Sequence, residues 1–111
     1  MPQYMLMICY DPTAPPDPDA PPSRKSEHEV LSAQLREEGT LRGGAGLLPP
    51  EFAPPVRLRG GKTIDGPFAE SKELLGGFYQ VECKDVEEAK SIAARIPVNK
   101  GDWIEIRQLI D

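Results

Sequence analysis

The sequence predicts an α+β domain of the ferredoxin-like kind, in the order strand, helix, strand, hairpin, strand, helix, strand. Three observations carry that prediction. Two capping-box signatures, at Ser26 with Glu29 and at Asp85 with Glu88, each precede apolar residues at helical spacing. Apolar runs stand near both ends, at 3–10 and 103–110. Glycine-softened segments at 40–48 and 76–83 supply two more strands. With the hairpin set aside the order is βαββαβ, the split βαβ arrangement. A chain of 111 residues fits a single domain over 1–111 with a modest core.

The elements follow in turn. Residues 3–10 are continuously apolar and read as a central strand. Six prolines between Asp11 and Pro22 forbid helix and paired strand, so that stretch is an exposed acidic loop, a plain connector or a flap over a cleft. The first helix is capped at Ser26, carries Leu31 and Leu35 one turn apart, and stops at Gly39. The next strand alternates weakly, with Leu41, Ala45 and Leu47 on one side. Val56–Ile64 is a hairpin whose Gly60-Gly61 supplies the positive φ angles of a two-residue turn. In the 76–83 strand Phe78 and Tyr79 must point to opposite faces. The second helix is capped by Asp85, with Val86, Ala89, Ala93 and Ile96 as its apolar stripe, Ile92 beside it and Pro97 as its end. The last strand puts Ile104, Ile106 and Ile110 on one face and Trp103, Glu105, Arg107 and Leu109 on the other.

In this topology both helices cover one face of the sheet. The other face, carrying Tyr4, Leu6 and Ile8 or their neighbours and part of the last strand, is left open. An apolar face of that size is expected to bury itself against a second copy, as an isologous homodimer.

Composition narrows the function classes. The formal charge is −5, and the basic clusters Arg24-Lys25 and Arg57/Arg59/Lys62 have acidic neighbours. Neither nucleic-acid phosphates nor an anionic membrane is an expected partner. No apolar run approaches bilayer length, and Met1-Pro2-Gln3-Tyr4 has no basic n-region, so the expected location is the cytoplasm. Cys9 and Cys83 lack the spacing of a metal or redox motif and read as reduced, buried thiols. One histidine without paired cysteines makes a zinc site improbable. Gly43-Gly44-Ala45-Gly46 is no phosphate loop, and no nucleophile elbow surrounds Ser71. No metal and no cofactor is expected.

The stretch Asp65-Gly66-Pro67-Phe68-Ala69-Glu70-Ser71-Lys72, followed by Leu74-Leu75-Gly76-Gly77-Phe78-Tyr79, resembles the signature of the DGPF branch of the YCII-related family of small bacterial α+β domains. The resemblance extends to Tyr4–Ile8, Leu35–Gly39, Gly43–Leu47 and Glu105–Arg107, and so to nearly the whole chain. It implies a dimeric α/β barrel made of two ferredoxin-like units. It also implies a histidine and a carboxylate near a cleft. His28 stands at the matching distance of eleven residues before Gly39, and the carboxylate is Glu37 or Glu38 late in the helix, or Asp65 of the DGPF turn. Some relatives resemble muconolactone isomerases and dehalogenating lyases, though this chain matches those much more weakly. Genes for DGPF proteins often lie beside those for extracytoplasmic-function sigma factors. The proline-rich loop shortens the first helix relative to that family, which moves His28 into its first turn.

As the only histidine, His28 must carry any imidazole chemistry. At a helix N-terminus the macrodipole favours its neutral form, which a general base needs near neutral pH; its plainer role is an exposed first-turn residue. Asp65 is an acid/base partner or an ordinary turn residue bonding nearby amides. Glu105 and Arg107 share a strand face and form an ion pair, or a polar pocket in which Arg107 holds an anionic small molecule. Tyr10 and Tyr79 line such a pocket or pack in the core.

Two readings follow. The first is a non-enzymatic homodimeric module with a protein or small-ligand partner, linked to sigma-factor regulation. The alternative is a cofactor-free isomerase or lyase with His28 as base, Asp65 or Glu37 as its carboxylate partner, and Arg107, Tyr10, Tyr79 and Glu105 at the substrate.

Overall fold

The computed structural model describes residues 1–64 and 73–110. Among these residues the chain runs β1 (Gln3–Tyr10), α1 (Lys25–Glu37), β2 (Leu41–Gly46), β3 (Arg57–Arg59), β4 (Lys62–Ile64), β5 (Leu74–Glu82), α2 (Val86–Ala93) and β6 (Trp103–Gln108). The main sheet has the order β2-β5-β1-β6, with every neighbouring pair antiparallel. This is the ferredoxin-like order expected from the sequence, and β3 and β4 form the separate hairpin expected within it. Gly60 and Gly61 take φ of 58° and 76° at its turn. The DGPF segment from Asp65 to Lys72 lies outside the described residues.

α1 starts earlier than the capping box predicts. Arg24 occupies the N-cap with no side-chain cap, and Ser26 is already helical. The reason lies one residue further back. The Ser23 hydroxyl accepts the Lys25 amide at 3.1 Å, and Arg24 is fixed by Asn99 at 2.6 Å and Glu27 at 2.9 Å. Those contacts offset the missing N-cap acceptor. The other end follows expectation. Gly39 has φ 74°, its amide bonds the Arg36 carbonyl, and the Thr40 amide bonds that of Leu35, which is the Schellman pattern. α2 is capped as expected, the Glu88 amide donating to Asp85 Oδ1 at 2.9 Å. It ends at Ala93, however, and its buried side is Ala89, Ile92 and Ala93, while Val86 is exposed. Ile96 is buried from the tight turn that follows, where amides bond carbonyls three residues back.

The core is one cluster beneath the two helices: Tyr4, Leu6, Leu31, Leu35, Tyr79, Val81, Cys83, Ala89, Ile92, Ala93 and Ile96, with Ile8, Leu41, Ile104 and Ile106 against it. Tyr4, Leu6 and Ile8 therefore face the helices. Their neighbours Met5, Met7 and Cys9 occupy the opposite face, in register with Gln80 and Arg107, Phe78 and Glu105, and Leu75 and Trp103 respectively. Two sequence expectations fail here. Ile110 lies beyond β6 and is fully exposed. Ala45 does not share a side with Leu41, because the pairing of β2 shifts between Leu41 and Gly43. One extra residue at a bulge reverses the alternation beyond it. Leu41 pairs with buried Val81, while Ala45 pairs with Phe78 on the far face.

Candidate functional site

A cleft opens on the helix side of the sheet, between α1 and the β2–β5 edge. It exists because side chains are missing there. The register places Gly44 opposite Tyr79 and Gly46 opposite Gly77, all on the face turned toward α1. A Cβ on Gly44 would stand 2.8 Å from the Phe78 carbonyl oxygen, and one on Gly77 2.9 Å from that of Ala45. Glycine is thus demanded by the close approach of β2 and β5, and the bare backbone leaves space above it.

α1 supplies the opposite wall. Arg24, His28, Ser32 and Arg36 recur every four residues and line the cleft along one stripe, beside the buried stripe of Leu31 and Leu35. The proline-rich loop forms part of the rim through Pro12, Thr13, Pro21 and Pro22. It is pinned there by Asp17, whose carboxylate accepts the Lys100 amide at 2.9 Å.

The centre of the site is a side-chain pair. His28 Nδ1 lies 2.6 Å from Tyr79 Oη. The phenol sits at the edge of the core, 5% exposed, and its oxygen is also 3.5 Å from the His28 carbonyl. Burial holds the His28 imidazole below its ordinary value of 6.5; Glu27 draws it back up and Arg24 pushes it further down. Burial raises the Tyr79 phenol above 10.0, against a hydrogen bond from Ser32 that lowers it. Both groups are therefore neutral at physiological pH.

Two proton arrangements satisfy this pair. In one, the phenol donates to Nδ1 and the ring proton sits on Nε2. In the other, Nδ1–H donates to the phenol oxygen, the phenol hydrogen turns toward the His28 carbonyl, and Nε2 is a bare acceptor. The first presents a donor and the second a base.

The family comparison agrees with the topology. The chain matches the YCII-related domain over residues 3–111. It belongs to the YCII-related family. An uncharacterized protein of Rhizobium meliloti (strain 1021) is 46% identical to it over 68 residues, a stretch covering 57% of this chain and 55% of that relative. The chain thus spans about half the length of the curated relative it matches.

The remaining residues singled out in the sequence fall in different places on this YCII-related chain. Tyr10 lines the cleft near the bulge at Gly76 of β5, its ring 3.4 Å from where a Gly76 Cβ would be. Glu37 is exposed at the far end of α1, nine residues beyond His28 and outside the cleft lining. Glu38 is taken by Arg95 in a two-pronged contact at 2.9 and 2.7 Å. Asp65 lies outside the described residues. Glu105 and Arg107 do not line the cleft at all. Their register opposite Met7 and Met5 puts them on the far face of the sheet, where they form a 3.9 Å ion pair open to solvent.

His28 thus meets a phenol; of the carboxylates expected near it, Glu37 and Glu38 lie away from the cleft and Asp65 is outside the described residues. The alternation in 76–83 put Tyr79 and Phe78 on opposite faces but left open which one met α1. Arg24, Ser32 and Arg36 were missed. Their spacing from His28 was visible as a polar stripe, yet it reads equally as a solvated face until the glycine gap opposite is known. Among the described residues no group of His, Cys, Asp and Glu could hold a metal ion, and no helix is long and apolar enough to cross a membrane. Both cysteines are free, Cys83 in the core and Cys9 half-buried on the far face.

Proposed function

We propose that this chain, of the DGPF branch, is a cytoplasmic proton-transfer enzyme of the isomerase or lyase kind, acting on a small organic molecule in the cleft. The observation that carries the reading is the 2.6 Å contact between His28 Nδ1 and Tyr79 Oη beside a glycine-made gap. Burial favours the neutral imidazole, and the Tyr79 contact orients its ring. With Nδ1–H bonded to the phenol, Nε2 takes a proton from an acidic C–H while the electron pair stays on carbon. The imidazolium is then stabilised through its Nδ1–H bond to Tyr79. Return of the Nε2 proton to a neighbouring carbon completes an isomerisation; in an elimination the pair left on carbon forms the new double bond, the leaving group departs with its bonding pair, and the Nε2 proton passes to that group or to water.

The test is solvent exchange. Lactones and chlorinated aromatic acids are incubated with the protein in D2O, and deuterium entry is followed by NMR. Exchange that is lost in His28→Gln and reduced in Tyr79→Phe is the expected result. Exchange undiminished by His28→Gln, or none across the panel, sinks the reading.

A second reading rests on the other side of the sheet. Met5, Met7, Cys9, Phe78 and Trp103 are half-buried there, and no described helix covers them. Gln3, Gln80, Glu105 and Arg107 interrupt and border this patch. It supports a homodimer packed sheet to sheet, and with it a regulatory module of the sigma-factor-linked kind that the family resemblance implies. The two readings are compatible, since the cleft and the open face lie on opposite sides.

A further inference from the structure

Among the described residues, every arginine but one outside the β3–β4 hairpin pairs with a carboxylate. Arg24 pairs with Glu27, Arg42 with Glu82, Arg95 with Glu38 and Arg107 with Glu105. Arg36 lines the cleft and, among the described residues, has no hydrogen-bond or ion-pair partner for its side chain. A guanidinium left unpaired in a concave site is a binding group in search of an anion, and its planar fork suits a carboxylate.

We infer that the cleft takes a small monocarboxylic acid with an apolar frame, its carboxylate on Arg36 and its reacting carbon toward His28. The inference rests on the proton-transfer reading only for the role given to His28. Arg36 lies eight residues beyond His28, about 12 Å along the helix axis. Helical side chains tend to lean toward the N-terminus, a direction that would carry an arginine at position 36 back toward Ser32 and shorten that span. A span of that order suits a small organic molecule reaching from one group to the other better than a bare ion. Ile8, Tyr10, Leu41 and Val98 give the cleft apolar walls that would bury such a frame. Glu29 and Glu51, also in the lining, oppose a second negative charge on the ligand. Asp102 is occupied by the Asn99 amide at 3.1 Å, and Lys25 stands at the opposite end of the stripe.

His28, the only histidine, is its own reporter, because its ring protons give a single resolved set of NMR signals. Phenylacetate and its uncharged match phenylacetamide are titrated against the full chain. Phenylacetate is expected to shift the His28 signals saturably and to bind roughly tenfold or more tighter than the amide. Arg36→Gln is expected to erase that preference and Arg36→Lys to keep part of it. Equal affinity for acid and amide, an intact preference in Arg36→Gln, or no shift with either probe overturns the inference. The two proposals fail separately. An Arg36-dependent preference without solvent exchange removes only the proton-transfer reading. Exchange that depends on His28, without a carboxylate preference, removes only this one.

Discussion

His28 Nδ1 and Tyr79 Oη lie 2.6 Å apart across 51 positions of sequence, one on the first turn of α1 and the other at the core edge of β5. Tyr79→Phe keeps the ring and its packing but removes the phenol, so a partly buried imidazole nitrogen loses its partner. The expected cost is about 1 kcal/mol of folding stability. The more telling effect is on the proton. Long-range proton–nitrogen NMR on the wild type should show a neutral ring with one dominant tautomer, and Tyr79→Phe should mix the two. A wild-type ring already averaged between tautomers would mean that the contact does not hold in solution.

The lowered His28 value has a signed consequence for stability. The folded ring resists protonation, so between its folded value and 6.5 the unfolded chain binds more protons. The contribution of this site is therefore fully present above about 6.5 and is lost as pH falls through the folded value. Urea denaturation of wild type and His28→Gln across this range isolates it. The difference between the two should change below neutrality and stay level above it. A difference that stays flat through the acid range contradicts a desolvated histidine.

The fold was legible because local signals agreed with one another. Gly39 as a helix stop, Asp85 as a helix cap and Gly60-Gly61 as a hairpin turn each fix backbone geometry by their own chemistry, and each stands where expected. What sequence periodicity could not carry was the phase of a strand across a bulge. The shift between Leu41 and Gly43 put Ala45 on the other face, and only the pairing with β5 reveals it. The site was legible in part for a related reason. His28 stood out by being alone, but its partner comes from a strand whose inward face is set by the register with β1. Arg107 was read as an anion binder on the face it shares with Glu105, and its parity places that face opposite Met5, on the far side from the cleft.

The glycine floor separates two substitutions that look alike in sequence. Gly77→Ala places a methyl 2.9 Å from the Ala45 carbonyl oxygen, a backbone atom that cannot move without parting the strands. It should destabilise the protein by about 1–3 kcal/mol. Gly46→Ala meets nothing within 4 Å, and by narrowing the unfolded ensemble it should be neutral or slightly stabilising. Thermal melts of the two variants side by side test the difference. Equal losses would mean that the approach of β2 to β5 is looser than the geometry here.

The last prediction concerns the face that the helices leave uncovered. Met7 sits on its central strand between Phe78 of β5 and Glu105 of β6, so a charge at this position falls within any sheet-to-sheet contact. In a separate chain the half-buried Met7 side chain borders solvent, and a lysine there can extend its head to water along the same apolar stem. Met7→Lys should therefore leave the monomer fold intact while separating a dimer, because the same ammonium would be buried without a partner at the interface. Sedimentation velocity of the wild type should give twice the mass of one chain, and Met7→Lys a single chain with an unchanged far-ultraviolet circular dichroism spectrum. A wild type that sediments as a monomer at the highest soluble concentration rejects the homodimer directly. A Met7→Lys variant that remains dimeric and folded moves the interface elsewhere, and the exposed Phe52, Val56 and Leu58 before and within the hairpin are then the next surface to charge.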